Sequence, residues 1–396
     1  METITQSEAY AMQLQLLIEP KDNLRKHGFI TQLLTDEELL LKRRCLGCGK
    51  AMSQLKGRER MGPGHSIVAH AANNAFSSST SNMARASRTP TSELSALKEK
   101  AAPALQFNCR FHSGDVIQKY WTCCGQHCTA DPCSGSDFHN PRDEPLIELA
   151  RHYQLHFTPV VAASRGLGKG QDIRAAVALD CEMGTAESGD TELIKVTLID
   201  YFTGEVLVNN IVEPDVPLRH LNTRFSGVTW GQMRAAQRQR TSLNATMGAR
   251  HAIWRFVGAQ TIVVGHGVSN DLRSMKWIHE HVVDSLVIEL NIKKRREEKE
   301  KKAEEEAIAK AKADGTYVEP VKETLGPGDS ANAAAGLPVQ KKKKRKGGDL
   351  SLKTLADKRL GRKIQLGEGT TGHDSLEDAI AARDLVHWHI NNPATD

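Results

Sequence analysis

The chain has 396 residues, 39% hydrophobic and 26% charged, with a formal net charge of +5. That length allows two or three domains and material for one full core; the mild positive charge is compatible with nucleic acid without pointing to it. No run of about 18 apolar residues is present, and the N-terminus METITQSEAYAMQ lacks a basic stretch followed by an apolar one, so neither a membrane span nor a secretory signal is expected. Seven of the eight cysteines lie between Cys45 and Cys133. In a chain without an export signal, such clustering reads as metal ligation rather than disulfides.

Residues 1–44 carry helical periodicity (Met12, Leu14, Leu16, Leu17, then Leu33, Leu34, Leu39, Leu40), with a helix start at Thr35-Asp36-Glu37-Glu38. Cys45-Leu46-Gly47-Cys48 follows as a C-x2-C knuckle, so 1–60 is expected to be helices ending in a knuckle. Residues 61–104, rich in Ser, Ala and Asn, read as a disordered linker or a long insertion within the zinc region. Residues 105–145 form a Cys/His block. Zinc takes four Cys or His ligands, usually as close-spaced pairs from tight turns. Cys109/His112 reads as one pair and Cys133/His139 as another. With Cys45, Cys48, Cys123 and Cys124 the candidates suffice for two structural zinc sites and exceed one. Cys123 and Cys124 are adjacent and tend to face different ways, so one of them is expected to be a better ligand than the other; His127 and Cys128 are expected to be non-ligands.

After a Gly-rich spacer, Arg165 to Gly170, the pattern changes. Ala175–Leu179 reads as a buried strand, Glu192–Asp200 and Val206–Val212 as its antiparallel successors on short turns, and Thr261–Val264 and Val282–Val287 as a fourth and fifth. A helix is expected from about Asn270 to His279. A helix-separated strand after a meander implies a mixed five-stranded α/β sheet with flanking helices. Asp180 and Glu182 stand at i and i+2 at the end of the first strand, on one face. Two carboxylates side by side repel unless a cation or a shared proton lies between them, and oxygen ligands suit Mg²⁺ or Mn²⁺. Two solvated acids at a strand end are the bland alternative, and it holds only if nothing downstream completes the site. Asp271 opens a helix at the carboxyl end of the fourth strand, where α/β sheets place their ligands. Asp374 and Glu377 fit a capping box, leaving His373 on a loop just outside the helix and Asp378 inside its first turns. Four carboxylates and a loop histidine are what two-metal phosphodiester hydrolysis requires.

The stretches 175–291 and 349–390 resemble the DEDDh 3′–5′ exonucleases on a ribonuclease H-like fold, and His373 and Asp378 match the spacing that names that group. ALDCEMG, RFSGVT at 224–229, GHGVSNDL, Val283-Asp284-Ser285, LSLK at 350–353 and GHDSLEDA together resemble the eukaryotic Rex-type RNA exonucleases, and the cysteine block resembles the zinc region of their fungal members. The resemblance implies a nuclease domain over 172–291 and 349–392 that shortens single-stranded RNA from its 3′ end and releases nucleoside 5′-monophosphates. Asp180, Glu182, Asp271 and Asp378 would hold two Mg²⁺ or Mn²⁺, with His373 as general base. Met183, Gly184 and Phe225 would contact the terminal nucleotide, Phe225 by stacking, although it could instead plug the sheet edge. A DNA exonuclease and a non-catalytic RNA-binding scaffold are the rival readings.

The departure from that pattern is the insertion at 292–348, expected to bulge away from the metals. Its first part, KKRREEKEKKAEEEAIAKAKA, reads as a solvated arm, helical or not. Lys341-Lys342-Lys343-Lys344-Arg345-Lys346 reads as a nuclear localisation signal or an RNA-backbone contact. The last helix, Ser375–Ile390, is expected to pack Leu376, Ile380, Leu385, Val386 and Trp388 onto the sheet.

Overall fold

The computed structural model describes residues 4–55, 107–160, 172–314, 348–366 and 372–393. The linker expected at 61–104, the Gly-rich spacer and the basic run at 341–346 lie outside the described residues. The chain divides into two compact units, one of residues 1–32 and 156–396, the other of residues 33–155. The boundary therefore falls near residue 33 rather than 60: the first helix goes with the sheet, and the knuckle goes with the Cys/His block. The physical reason is burial. Helix α1 (Glu8–Leu16) is capped by Ser7. Leu14 beneath it and Ile4 before it pack with Ile199, Tyr201 and Phe202, and Ile4 N–H donates to the Phe202 carbonyl at 2.9 Å.

The sheet of the larger unit is built on β1 (Ala176–Ala186), β2 (Thr191–Asp200) and β3 (Val206–Glu213), an antiparallel meander. Parallel strands β6 (Ile262–Gly265) and β7 (Val282–Asp284) extend it on the other side of β1. These are the expected five, but the sheet has seven strands. Short β4 (Leu218–His220) pairs with β1 and short β5 (Leu243–Asn244) pairs with β3. Both are only two or three residues long, too short for alternation to register. The order β5-β3-β2-β1-β6-β7 leaves β1 near the centre, with helices on both faces.

The face of β1 that carries Ala176 and Ala178 meets α7 (Ser375–Asn391) through Ala379, Val386 and Ile390. Three alanines at this contact let the helix come close to the strand. Arg383, buried in α7, donates from Nε to the Tyr201 carbonyl at 2.6 Å and fixes the helix to the turn after β2. The opposite face, with Val177, Leu179 and Cys181, packs Trp277, Leu272 and helix α3 (Ala245–Ile253). Helix α2 (Trp230–Gln239) starts in a capping box of Thr229 and Gln232.

Two expected boundaries shift. Helix α4 spans only Ser269–Ser274, because Lys276 takes φ +53 and the chain re-extends at Trp277–Ile278 to pair with His156–Phe157. The fifth strand stops at Asp284, whose side chain caps α5 (Ser285–Ala313). This helix runs without a break from buried Val287, Ile288 and Glu289 into the charged arm, so the insertion begins as the continuation of a helix, the helical form open to that arm. Along the arm, pairs such as Lys293–Glu297 and Lys301–Glu305 are exposed and solvate the helix more than they stabilise it. Helix α6 (Leu352–Leu360), capped by Ser351, then packs on α7. Among the described residues, no helix is long and apolar enough to cross a membrane.

The smaller unit pairs helices Asp36–Leu40 and Leu146–Tyr153, which bury Leu39 and Leu149. Thr35 and Glu38 form the capping box at the expected helix start. An antiparallel ribbon joins Cys109–Phe111 to Ser134–Ser136, and a second hairpin joins Val116–Ile117 to Tyr120–Trp121.

Asp284 carries the bend between β6 and α4. Its carboxylate accepts from Gly267 N at 2.8 Å, Val268 N at 3.0 Å and Leu286 N at 2.9 Å, at 1% exposure. Asp284→Ala leaves three donors without an acceptor, so urea unfolding should show a loss of about 3 kcal/mol or more, and Asp284→Asn a smaller one. A loss under about 1 kcal/mol for the alanine variant would mean that these bonds do not hold the bend.

Candidate active site and metal-ligand clusters

Strand β1 delivers the first two acids. Asp180 lies opposite Thr197 and Glu182 opposite Lys195 on β2, so all four side chains share the face that α7 covers. The register slips between Glu182 and Met183, a bulge that bends the strand where the acids stand. The N-terminus of α7 is fastened over them. Thr197 Oγ1 and Ser375 Oγ are 2.7 Å apart, and Lys195 Nζ donates to Asp374 Oδ1 at 3.2 Å. That anchoring brings Asp378 inward: one carboxylate oxygen each from Asp180, Glu182 and Asp378 lie within 4.8 Å of one another.

Burial and crowding raise all these acids. Glu182 is pushed up to about 9, first by burial and then by Asp378, with Lys195 opposing. Asp378 is pushed to about 6 by burial, against the Gln365 amide. Asp180 is held well above the usual carboxylate range by burial and by Asp271. Asp271 itself is buried and lies outside the closest triplet. Its carboxyl is raised by burial and by Asp284, and the Cys181 backbone and thiol are its hydrogen-bonding neighbours. The structure thus brings three of the four expected acids together and sets the fourth beside them, close enough to be the main charge acting on Asp180.

His373 Nδ1 is 3.6 Å from Asp378 Oδ2, and the side chain is 43% exposed. Burial and Lys353 depress its pKa, so the imidazole is neutral and able to accept a proton. The loop that holds it is pressed onto the 223–227 turn. His373 N–H donates to the Phe225 carbonyl at 2.6 Å. Gly372 has φ +70, and a Cβ there would sit 2.2 Å from Gly227 N. The capping box expected from Asp374 and Glu377 is not formed. Asp374 caps α7 through Leu376 N–H, but the Glu377 carboxylate accepts from Gln365 N–H instead.

Phe225 is 63% exposed, so it does not plug the sheet edge. Its ring is free to stack, with the Arg224 guanidinium 5.8 Å from the centroid. The Met183 carbonyl accepts from Asn222 Nδ2 at 3.3 Å. A Cβ at Gly184 would meet the His220 carbonyl at 2.9 Å, so the missing side chain lets β4 approach closely. Sequence reasoning missed Lys195 and Gln365. Lys195 and Thr197, polar at i and i+2 within the apolar stretch Leu193–Ile199, were a legible signal; Gln365 left none.

In the smaller unit all eight Cys and His candidates fall into two clusters: Cys45, Cys48, Cys109 and His139, and His112, Cys123, Cys124 and Cys133. Both expected pairs are split between the two. The antiparallel register sets Cys109 opposite Ser136 and Phe111 opposite Ser134, so one end of the ribbon carries Cys109 with His139 and the other His112 with Cys133. Cys123 and Cys124 both reach His112 Nδ1, at 3.7 and 3.6 Å, so neither stands out as the better placed. His127 and Cys128 lie outside both clusters. The Sγ–Sγ distances, 3.6 Å for Cys45–Cys109 and 3.5 Å for Cys123–Cys133, exclude disulfides and approach the edge of about 3.8 Å of a tetrahedron with 2.3 Å metal–sulfur bonds. His112 Nε2 faces the Ala130 carbonyl at 3.3 Å, which leaves Nδ1 for a ligand. Its ring stacks on Trp121. Burial works against ionisation of Cys45, but the Cys48 N–H and His139 bring it down to about 6. His112 and Cys133 likewise bring Cys123 to about 6.

No family model matches the chain. Among curated proteins it is 25% identical over 295 residues to RNA exonuclease 3 of Candida albicans, covering 71% of this chain and 54% of the relative. It is 25% identical over 296 residues to RNA exonuclease 3 of Emericella nidulans, covering 69% and 37%. The chain thus spans about half or less of the length of these relatives. Among solved structures, the Saccharomyces cerevisiae Pan2 pseudoubiquitin hydrolase–RNA exonuclease module aligns at TM-score 0.37 and 15% identity, over 64% of this chain and 36% of that one. The chain is a relative of the Rex-type DEDD exonucleases, as its motifs imply.

Proposed function

We propose that the chain is a metal-dependent 3′–5′ exoribonuclease that trims RNA 3′ ends and releases nucleoside 5′-monophosphates. The observation that carries this reading is the convergence of Asp180, Glu182 and Asp378 within 4.8 Å, beside Asp271 and a neutral His373. An all-oxygen donor set whose acids are raised by burial and by neighbouring carboxylates fits Mg²⁺ or Mn²⁺. Asp180, Glu182, Asp271 and Asp378 would hold two such ions, which when bound stabilise the entering and leaving oxygens of phosphodiester hydrolysis. His373 takes the proton of the attacking water. Phe225 stacks on the terminal base, and the Arg224 guanidinium beside it faces the backbone phosphates. Substrate choice follows from the curated relatives, whose names specify RNA. A nuclear location is read from the basic run at 341–346. Each Cys/His cluster would hold one structural Zn²⁺ through thiolate and imidazole ligands.

End-labelled single-stranded RNA and a matched DNA oligomer, incubated with Mg²⁺ or Mn²⁺ and with chelator, test the activity. RNA should shorten from its 3′ end, and Asp180→Asn should abolish the reaction. His373→Ala should slow it by roughly 10²–10⁴-fold with ion binding retained. RNA left intact with Mn²⁺ would support the scaffold reading, and DNA degraded faster than RNA would support the DNA reading.

The raised acids also set a pH dependence. Glu182, at about 9, and Asp378, at about 6, lie above their unfolded values. Their contribution to stability is therefore full below about pH 4 and is lost as pH rises through about 6 and then about 9. Ions displace the protons, so Mg²⁺ should raise the Tm strongly at alkaline pH and hardly at pH near 5. An equal Tm shift at both ends would show that the acids are not the ion site.

Metal analysis of the purified protein should return two zinc per chain, one for each cluster. Cys109→Ser and Cys133→Ser should each remove one. Loss of both from either variant would mean that the clusters do not fill independently.

A further inference from the structure

We infer that Gln365 is a positioning residue for Asp378, and so for the ion site on which the proposed function rests. Its side-chain amide nitrogen lies 3.1 Å from Oδ1 and 2.9 Å from Oδ2 of Asp378. Among the described residues it is the one side chain within hydrogen-bond distance of that carboxylate, since His373 Nδ1 stands at 3.6 Å. Gln365 is itself fixed at both backbone groups. Its N–H donates to Glu377 Oε2 at 2.9 Å, and its carbonyl accepts from Lys353 Nζ at 3.0 Å. Its φ is +53, left-handed for a residue with a side chain, and such a conformation persists where the surroundings over-determine it. The neighbouring Ile364, fully buried, anchors the loop among Leu355, Ala382 and Leu385.

The loop is therefore held by Ile364 and two backbone bonds whether or not the Gln365 amide reaches Asp378, so a purely structural role leaves that reach unexplained. A carboxylate offers about four lone-pair sites. The amide uses one on each oxygen and leaves the others for an ion that Asp180 and Glu182 would ligate as well. Its neutrality matters: a lysine or arginine in the same place would orient Asp378 equally well but would repel a cation. Groups that orient ligands without touching the ion typically change metal affinity or activity by 10–100-fold when removed.

The test uses the full chain with Gln365→Met, which keeps the length of the side chain and removes its donors, and Gln365→Asn, which keeps the amide and withdraws it. Binding of Mn²⁺ alone is measured by calorimetry without RNA, and the ion concentration for half-maximal cleavage is measured on end-labelled RNA. Gln365→Met should weaken Mn²⁺ binding about tenfold or more and raise the half-saturating concentration by the same factor. Saturating ion should restore kcat, and the Tm in chelator should stay at the wild-type value. Where Gln365→Met melts early, Gln365→Asn carries the comparison. Unchanged Mn²⁺ affinity, or a loss of kcat that excess ion does not restore, overturns the inference. Wild-type protein that binds Mn²⁺ but leaves RNA intact overturns the proposed function while Mn²⁺ affinity still decides the role of Gln365; wild-type protein that binds no ion overturns both.

Discussion

Carboxylates held closer than their charges allow are the constraint that organises the larger unit. Asp180, Glu182 and Asp378 meet within 4.8 Å, with Lys195 the cation that opposes them. Like charges at that distance in a partly dry site cannot all ionise without a counter-ion. The fold nevertheless forces them together from two elements far apart in sequence. Strand β1 supplies two acids on one face, and α7 supplies the third because Ala176, Ala178 and Ala379 let the helix lie close. The Thr197–Ser375 and Lys195–Asp374 contacts then fix where the helix begins. Stability given up at the acids is recovered along the rest of α7, where Arg383 and the apolar face bind the helix to the sheet.

Much of this was legible before any coordinates. The five main strands have alternating or continuously apolar patterns long enough to register, and their short turns gave the antiparallel order. The acids were legible because D-x-E at a strand end, an acid at a helix start and His373 with Asp378 belong to one chemistry. The three-residue β4 left no pattern, yet it decides the meaning of Gly184, whose missing side chain makes room for the His220 carbonyl. Glu377 was assigned to a cap on spacing alone. A loop residue distant in sequence competes for it and wins, because the Gln365 N–H approaches the same carboxylate.

The Cys/His unit failed differently. Every candidate ligand was identified, but the partners were exchanged, since neighbours in sequence were assumed to share an ion. Pairing in an antiparallel ribbon reverses that assumption. Residues three or six apart along a strand end up at opposite ends of it, and each end collects ligands from the other strand. Register, which spacing does not encode for such short strands, was the missing information.

The two units concentrate negative charge in different currencies, and the donors decide which ion answers. Crowded carboxylates are hard oxygen donors and, on the proposed reading, favour Mg²⁺ or Mn²⁺; thiolates with imidazole are softer and favour zinc. In the smaller unit the cluster of Cys45, Cys48 and Cys109 packs with little more than Met52, Leu55, Leu41 and Phe111. So small an apolar cluster supplies little folding energy, and ligand–metal bonds there would, on the proposed reading, be folding energy outright. In the larger unit the cores on both sides of the sheet are extensive, so an ion among the acids would not be needed to hold the fold and, on the proposed reading, would be free for chemistry. On the proposed reading, the difference in core size separates an ion that would make a structure from ions that a structure would make reactive.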